Sequence, residues 1–488
     1  MSPAGGSSLS ARTLKGMFWA YGSYVGGRAL VLVSIAILAR LLTPGDFGLV
    51  ALALAFIAFF ETLRDLGVTQ ALILTDEEEV EARAETAWVA SLVIGLVLSV
   101  GVAALGPVAA AYFDEPQMVA VLPALGLNFL LRAIGATHYA LAQKRLDFRT
   151  RTAAEFADVL CRGTVGIGLA LAGAGVWSLI VGYLVGTLAM NVALWRLVPW
   201  RPSYRPRREH LHQLLSFGGA LTGLNFVAAI INAADDLIVA SALGTVALGF
   251  YGLAYRIPRL LIINLSLVAG QVLFPAMASL SAAARPAAFV RSLRYALMVG
   301  LPLTAGLAVF AEPMVVAVFG EKWRGAGPAM QVMALWTLMS PISVVIGTAY
   351  KSMGRADLLL KLAIPQALLL VGAIVIFVDL GIVAVAACQA VLAFVSALIG
   401  MVIATRMLDA TARSLWGAIW PPAVAAIGLT AVLVPFERAV ESPWPAIVGG
   451  AAIGALVYPA LLWLVARDTL RELIATARLG RTAPGPGV

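Results

Sequence analysis

An all-helical integral membrane protein with about fourteen transmembrane helices is the fold class this sequence predicts. Composition is the first reason: 61% of residues are apolar and only 12% are charged, with a mean hydropathy of +0.93. The second is spacing. Apolar stretches of about 20 residues, the length that crosses a hydrocarbon core about 30 Å thick as a helix, recur from about Phe18 to Val465. The third is the brevity of the polar breaks. The longest, from about Leu197 to His212, is too short to hold a folded soluble domain. Lipid cannot satisfy exposed backbone groups and a barrel would alternate in hydrophobicity, so each stretch is expected to be a helix.

Dividing the chain at its polar breaks places the spans near 17–41, 47–66, 86–106, 117–138, 152–172, 175–196, 213–240, 247–275, 291–312, 328–350, 357–378, 381–404, 415–435 and 444–466. The first is read as a true span rather than a cleavable signal peptide. It is too long, carries Arg28 inside it and lacks a small-x-small cleavage site. Cys161 and Cys388 fall inside spans, and His210 and His212 sit in a basic loop, with no CxxC or HExxH spacing anywhere. No disulfide framework, metal site or cofactor is expected.

The net charge of +8 is unevenly placed. With Arg12 and Lys15 on the cytoplasmic side, the even-to-odd breaks are cytoplasmic too. They carry Arg83; Lys144, Arg145, Arg149 and Arg151; Arg196, Arg201, Arg205, Arg207 and Arg208; then Arg285, Arg291 and Arg294. Further along come Lys351, Arg355 and Lys361, then Arg406 and Arg413, and a tail with Arg467, Arg471, Arg478 and Arg481. The opposite side has Arg40, Lys322, Arg324 and Arg438. Such a bias puts both termini in the cytoplasm. Lipid-flanking arginine accounts for these loops without nucleic acid as a partner.

An internal repeat sets the domain organisation. Phe47-Gly48-Leu49-Val50-Ala51 is echoed by Phe250-Tyr251-Gly252-Leu253-Ala254, and Ala111-Tyr112-Phe113-Asp114-Glu115 by Ala317-Val318-Phe319-Gly320-Glu321. Gly175-Val176-Trp177 is matched by Gly381-Ile382-Val383. Three matches in order at a nearly constant offset predict two six-helix lobes, 1–205 and 206–410, related by a pseudo-two-fold axis along the membrane normal. Residues 411–488 then add helices thirteen and fourteen and a cytoplasmic tail.

Charges inside the spans mark the candidate site, because a cation facing lipid at the midplane costs several kcal/mol. Arg28, Arg64, Arg132, Arg162, Arg256 and Arg259 fall within spans or close inside their ends. Two readings stand for Arg162 and Arg64. Asp158 shares a helix face with Arg162, and Glu61 and Asp65 bracket Arg64, so each arginine is either neutralised locally or turned toward a substrate. Arg28, Arg256 and Arg259 have no acid within one helical turn and are assigned to substrate contact, with acids on other helices as the alternative partners. A cationic cavity needs anionic cargo, and the planar guanidinium fork matches phosphate oxygens. Asp235 and Asp236, adjacent acids in the seventh span, either bind a coupling cation, a proton or sodium, or balance cavity charge. Asn225, Asn232, Asn264 and Gln271 either line the same cavity or satisfy one another. Prolines at 258, 275, 302, 341 and 365 permit bends.

Ala39-Arg40-Leu41-Leu42-Thr43-Pro44-Gly45-Asp46-Phe47-Gly48-Leu49-Val50, followed by Asp65-Leu66-Gly67-Val68-Thr69-Gln70-Ala71-Leu72-Ile73, resembles the opening of Wzx-type polysaccharide flippases. These belong to the superfamily that includes MATE multidrug extruders and the lipid II flippase. Ala247-Leu248-Gly249-Phe250-Tyr251-Gly252-Leu253-Ala254-Tyr255-Arg256-Ile257-Pro258 is similar to that family's junction of helices seven and eight. Phe319-Gly320-Glu321-Lys322-Trp323 and Gly354-Arg355-Ala356-Asp357-Leu358 also resemble family landmarks.

The resemblance implies fourteen helices in two lobes, alternating access, and a polyprenyl-pyrophosphate-linked oligosaccharide moved from the cytoplasmic to the periplasmic leaflet of a bacterial inner membrane. It also implies membrane lipids and glycan polymerase machinery as partners. Arg28, Arg64 and Arg256 resemble the cavity arginines of the lipid II flippase in helix and approximate position. An enzyme acting on lipid-linked sugars would need a catalytic constellation on a sizeable external loop. The largest external connection, around Glu312–Gly327, has no histidine and no paired aspartates, so the chain is not expected to be an enzyme. The nearer alternative is a MATE-type cation-coupled drug or metabolite antiporter, whose cationic cargo would prefer an acidic cavity.

Overall fold

The computed structural model describes residues 26–27, 29–65, 72–73, 79–203, 207–355 and 357–467, with the backbone alone at 65, 82, 208–232, 263–265, 267–268 and 272. Arg28 and the side chains of Asn225, Asn232 and Asn264 lie outside the described residues. Among those residues eleven helices are long and apolar enough to cross a membrane, and Ala29–Leu41 and Ala269–Ala278 are shorter apolar helices. The chain divides into two compact units, Met1–Gly249 and Phe250–Val488.

The first unit contains α1 (Ala29–Leu41), α2 (Pro44–Asp65), α3 (Val80–Ala104), α4 (Gly106–Phe113), α5 (Met118–Lys144), α6 (Phe148–Leu171) and α7 (Trp177–Leu197). It also takes in most of α8 (Arg208–Pro258). Entry into α2 is fixed by a reciprocal cap. The Thr43 amide donates to Asp46 Oδ2 at 2.9 Å, and the Asp46 amide donates to Thr43 Oγ1 at 3.2 Å. Four residues on, α2 meets α8 at backbone contact: a Cβ on Gly48 would fall 1.6 Å from the Thr245 carbonyl oxygen, so only glycine fits there. The Asp147 side chain caps α6 by accepting from the Thr150 amide. α6 packs along α7, and α3 along α5.

The two expected spans at 213–240 and 247–275 are joined almost without a loop. α8 covers the first and runs into the second as far as Pro258, breaking at Gly244, whose φ of 80° and ψ of 174° suit a residue without a Cβ. Pro258 then lacks the N–H that would continue the helix. The chain widens into a π-helical turn, Arg259–Ile263, before α9 (Asn264–Ala278).

The second unit continues with α10 (Arg285–Val309), α11 (Ala311–Phe319), a 3-10 turn at Glu321–Ala326 and α12 (Gly327–Ser352). Then follow α13 (Asp357–Phe377), α14 (Ile382–Met407), α15 (Ala412–Ala439) and α16 (Pro443–Val465). α10 packs on α12 and α15, α12 on α14, and α15 on α16. The Tyr350 hydroxyl donates to the Gly400 carbonyl at 2.7 Å and ties α12 to α14. α13 presents Leu368 and Ile376, both about 70% exposed, as expected of a lipid-facing helix.

Both units use the same local devices at the repeated motifs. A long span is followed by a short helix that stops on a residue of positive φ: α3 and α4 end on Asp114 at 53°, α10 and α11 on Gly320 at 103°. Glycines of positive φ, Gly175 at 54° and Gly381 at 96°, stand just before α7 and α14.

Candidate functional site

Three of the intramembrane arginines come together in the first unit. Glu61, in the last turn of α2, is the pivot. Arg64 Nε donates to Glu61 Oε1 at 2.8 Å, and Arg132 Nη1, from α5, stands 3.5 Å from the same oxygen. On α6, Arg162 Nη2 donates to both Asp158 oxygens at 2.9 Å, and its guanidinium carbon lies 4.3 Å from the centre of the Tyr183 ring on α7. Arg132 also lies within electrostatic reach of Tyr183, Glu61 and Asp158. Tyr183 therefore joins two ion pairs from four helices into one network.

Arg64 and Arg162 each pair with the acid one turn away. Pairing does not exhaust them. Arg132 and Arg162 keep 35% and 36% side-chain exposure, and the Nε of each is buried with no hydrogen-bond partner. Among the described side chains three cations face two carboxylates, a surplus of one positive charge.

Neutral polar groups hold the cluster in place. Thr187 Oγ1 donates to Asn128 Oδ1 at 2.8 Å, and Asn128 Nδ2 donates to the Tyr183 hydroxyl at 3.4 Å. The backbone on either side of Arg132 is gripped as well. Asn191 Nδ2 donates to the Leu131 carbonyl at 2.5 Å, and the indoles of Trp88 and Trp195 both donate to the Ile134 carbonyl at 3.1 Å. Gly186 lets α7 approach the ion pair on α6: a Cβ there would lie 2.3 Å from Asp158 Oδ1. Asn128, Tyr183, Thr187 and Gly186 were not singled out by the sequence. A polar residue one turn before Arg132 is the signal that marks Asn128, whereas nothing in local spacing marks Tyr183.

The other expected site residues that are described lie on α8, the π-helical turn and α9. Arg256 and Arg259, both exposed, belong to the second unit and flank Pro258, with Arg259 5.5 Å from the Tyr255 ring centre. Tyr255 in turn packs on Trp336 at 4.9 Å. Asp235 and Asp236 are half-buried on α8 in the first unit, and both engage neighbouring groups. Gln271 is exposed on α9.

The sequence pattern of the family described as "Polysaccharide biosynthesis protein" matches residues 37–328. The succinoglycan biosynthesis transport protein ExoT of Rhizobium meliloti (strain 1021) is 27% identical over 98% of both chains. The lipopolysaccharide biosynthesis protein WzxC of Escherichia coli (strain K12) is 28% identical over 76% of both. Among solved structures, the lipid II flippase MurJ in an inward closed conformation superposes with a TM-score of 0.77 at 13% identity, covering 93% of this chain and 100% of its own. An inward-facing MATE family multidrug resistance transporter superposes with a TM-score of 0.62 at 18% identity, over 79% of this chain and 96% of its own. At such identities the superpositions speak for the fold.

Proposed function

We propose, from the premise that this chain belongs to the polysaccharide biosynthesis protein family, that it is a flippase for a polyprenyl-pyrophosphate-linked oligosaccharide. It carries the cargo from the cytoplasmic to the periplasmic leaflet of a bacterial inner membrane, for cell-surface polysaccharide assembly. Relatives named for succinoglycan transport and lipopolysaccharide biosynthesis support the cargo class.

The observation that carries the reading is the arginine cluster around Tyr183. Glu61 and Asp158 pair with the guanidinium groups. A pyrophosphate offers the same kind of oxygen acceptors with more charge, and in a poorly solvated site each charge-assisted contact contributes about 1.5–3 kcal/mol. The unpaired Nε donors of Arg132 and Arg162 favour gaining such an acceptor. Cationic drug cargo would meet surplus positive charge instead, which disfavours the antiporter reading.

Transport then proceeds by alternating access of lobes 1–205 and 206–410, with 411–488 outside the repeat. Arg28, Arg256 and Arg259 complete the phosphate contacts, and Asp235 and Asp236 serve ion coupling or charge balance. No bond is made or broken, so no catalytic group or cofactor is called for. The test is deletion of the gene followed by mass spectrometry of lipid extracts. A polyprenyl-pyrophosphate oligosaccharide should accumulate, and Arg132→Ala should clear it more slowly than the wild type at equal abundance. No accumulation on deletion would refute the cargo.

A further inference from the structure

Away from the arginine cluster, the second unit holds a cavity of about 460 Å³ where α14 ends and α10 and α15 begin. Its polar lining is Arg291 and Arg294 from α10, Asp409 from the turn after α14, and Thr411 and Ser414 from the start of α15. Val290 and Pro286 supply apolar wall. We propose that this cavity binds the phosphate of an anionic phospholipid headgroup.

Depth is the first argument. The cavity lies at the ends of three membrane-crossing helices, the level at which headgroups meet a span. The expected orientation puts it on the cytoplasmic side, where anionic lipids and basic pockets between helices meet. Charge is the second. Arg291 and Arg294 are one helical turn apart, so both forks reach one point, and with Asp409 they leave one net positive charge. Both already engage neighbouring groups, yet a guanidinium carries more donors than one neighbour uses. The Thr411 hydroxyl, which accepts from the Ser414 amide, adds a neutral donor beside them, while the Ser414 hydroxyl donates to the Thr411 carbonyl at 2.7 Å.

Shape is the third argument. The volume far exceeds what a bare phosphate fills, and the wall is partly apolar, which suits an amphipathic ligand. The outer flank of α15 carries Trp416 at 67% exposure and Ile427 at 69%, an interfacial indole followed by lipid-facing surface along which acyl chains would lie.

The experiment uses the full-length protein in nanodiscs of phosphatidylglycerol or of phosphatidylcholine. Native mass spectrometry counts the lipids retained, and a thermal midpoint is measured with and without inorganic phosphate. Wild type should retain phosphatidylglycerol at least about a hundredfold more strongly than Arg291→Ala/Arg294→Ala, the loss expected from two charge-assisted contacts. Arg291→Lys/Arg294→Lys should lie between. Asp409→Asn should retain more than wild type, and asparagine tolerates the left-handed backbone at this position, where φ is 53°. That gain of binding tests the idea even if the alanine pair folds poorly. Equal retention by wild type and both arginine variants, or reduced retention by Asp409→Asn, would overturn the proposal. Protection by inorganic phosphate as complete as that by phosphatidylglycerol would assign the cavity to a soluble phosphate and overturn the lipid.

Discussion

Asp158 and Arg162 show how far one pair can be read from spacing and where the reading stops. Their separation by one helical turn makes the pair legible, as does that of Glu61 and Arg64. Removing one partner strands the other charge. Asp158→Asn should lower stability by about 1–3 kcal/mol, less than for a fully buried pair because Arg162 keeps 36% exposure and the Tyr183 ring. Thermal melts in detergent would show it, and replacing Arg162 by Met as well should recover part of the loss. If Asp158→Asn melts as wild type does, the pair contributes nothing. What spacing could not convey is that Arg132 shares Glu61, or that Tyr183 links both pairs. Those partners sit on different helices, and their meeting depends on how α2, α5, α6 and α7 pack.

At the scale of elements, hydropathy locates the spans because lipid imposes one requirement, about 20 apolar residues in helical form, on each of them. The joints obey finer rules. The π-helical turn after Pro258 follows from a missing N–H that hydropathy does not register, and the stops of α4 and α11 follow from positive φ at Asp114 and Gly320. The cap of α6 is one joint that sequence does announce, through Asp147 and Thr150. Asp147 sits in the connection, and its carboxyl is held below the usual range, first by the Thr150 hydroxyl, which donates at 2.7 Å, then by the Thr150 amide at 3.0 Å. A depressed folded value means the cap stabilises fully above the unfolded-state pKa near ~3.9 and fades as pH falls through the folded one. Asp147→Ala should therefore cost about 1 kcal/mol at neutral pH, and melts of the two proteins should converge in acid. A difference that persists unchanged to low pH would show that the loss is not the carboxylate cap.

Over the whole molecule, two properties organise the account: the one-sided distribution of basic residues and the location of surplus charge inside the membrane. Charge bias predicts orientation because arginine and lysine resist translocation. Cysteine probes at Glu321 or Glu441 should label from outside intact cells, and probes at Arg207 or Arg413 should be shielded; labelling at Arg207 and Arg413 would invert the topology. The internal charge is the functional half of the account, and its most direct test is flipping in proteoliposomes loaded with a polyprenyl-pyrophosphate oligosaccharide. Wild type should translocate it, and Arg132→Ala should slow translocation by at least about tenfold, the effect of losing one charge-assisted contact. The same cargo stripped to a neutral polyprenyl glycoside should be moved poorly by both proteins. Equal rates for wild type and Arg132→Ala with the charged cargo, at equal reconstituted amounts, would contradict the claim that this cluster receives the pyrophosphate.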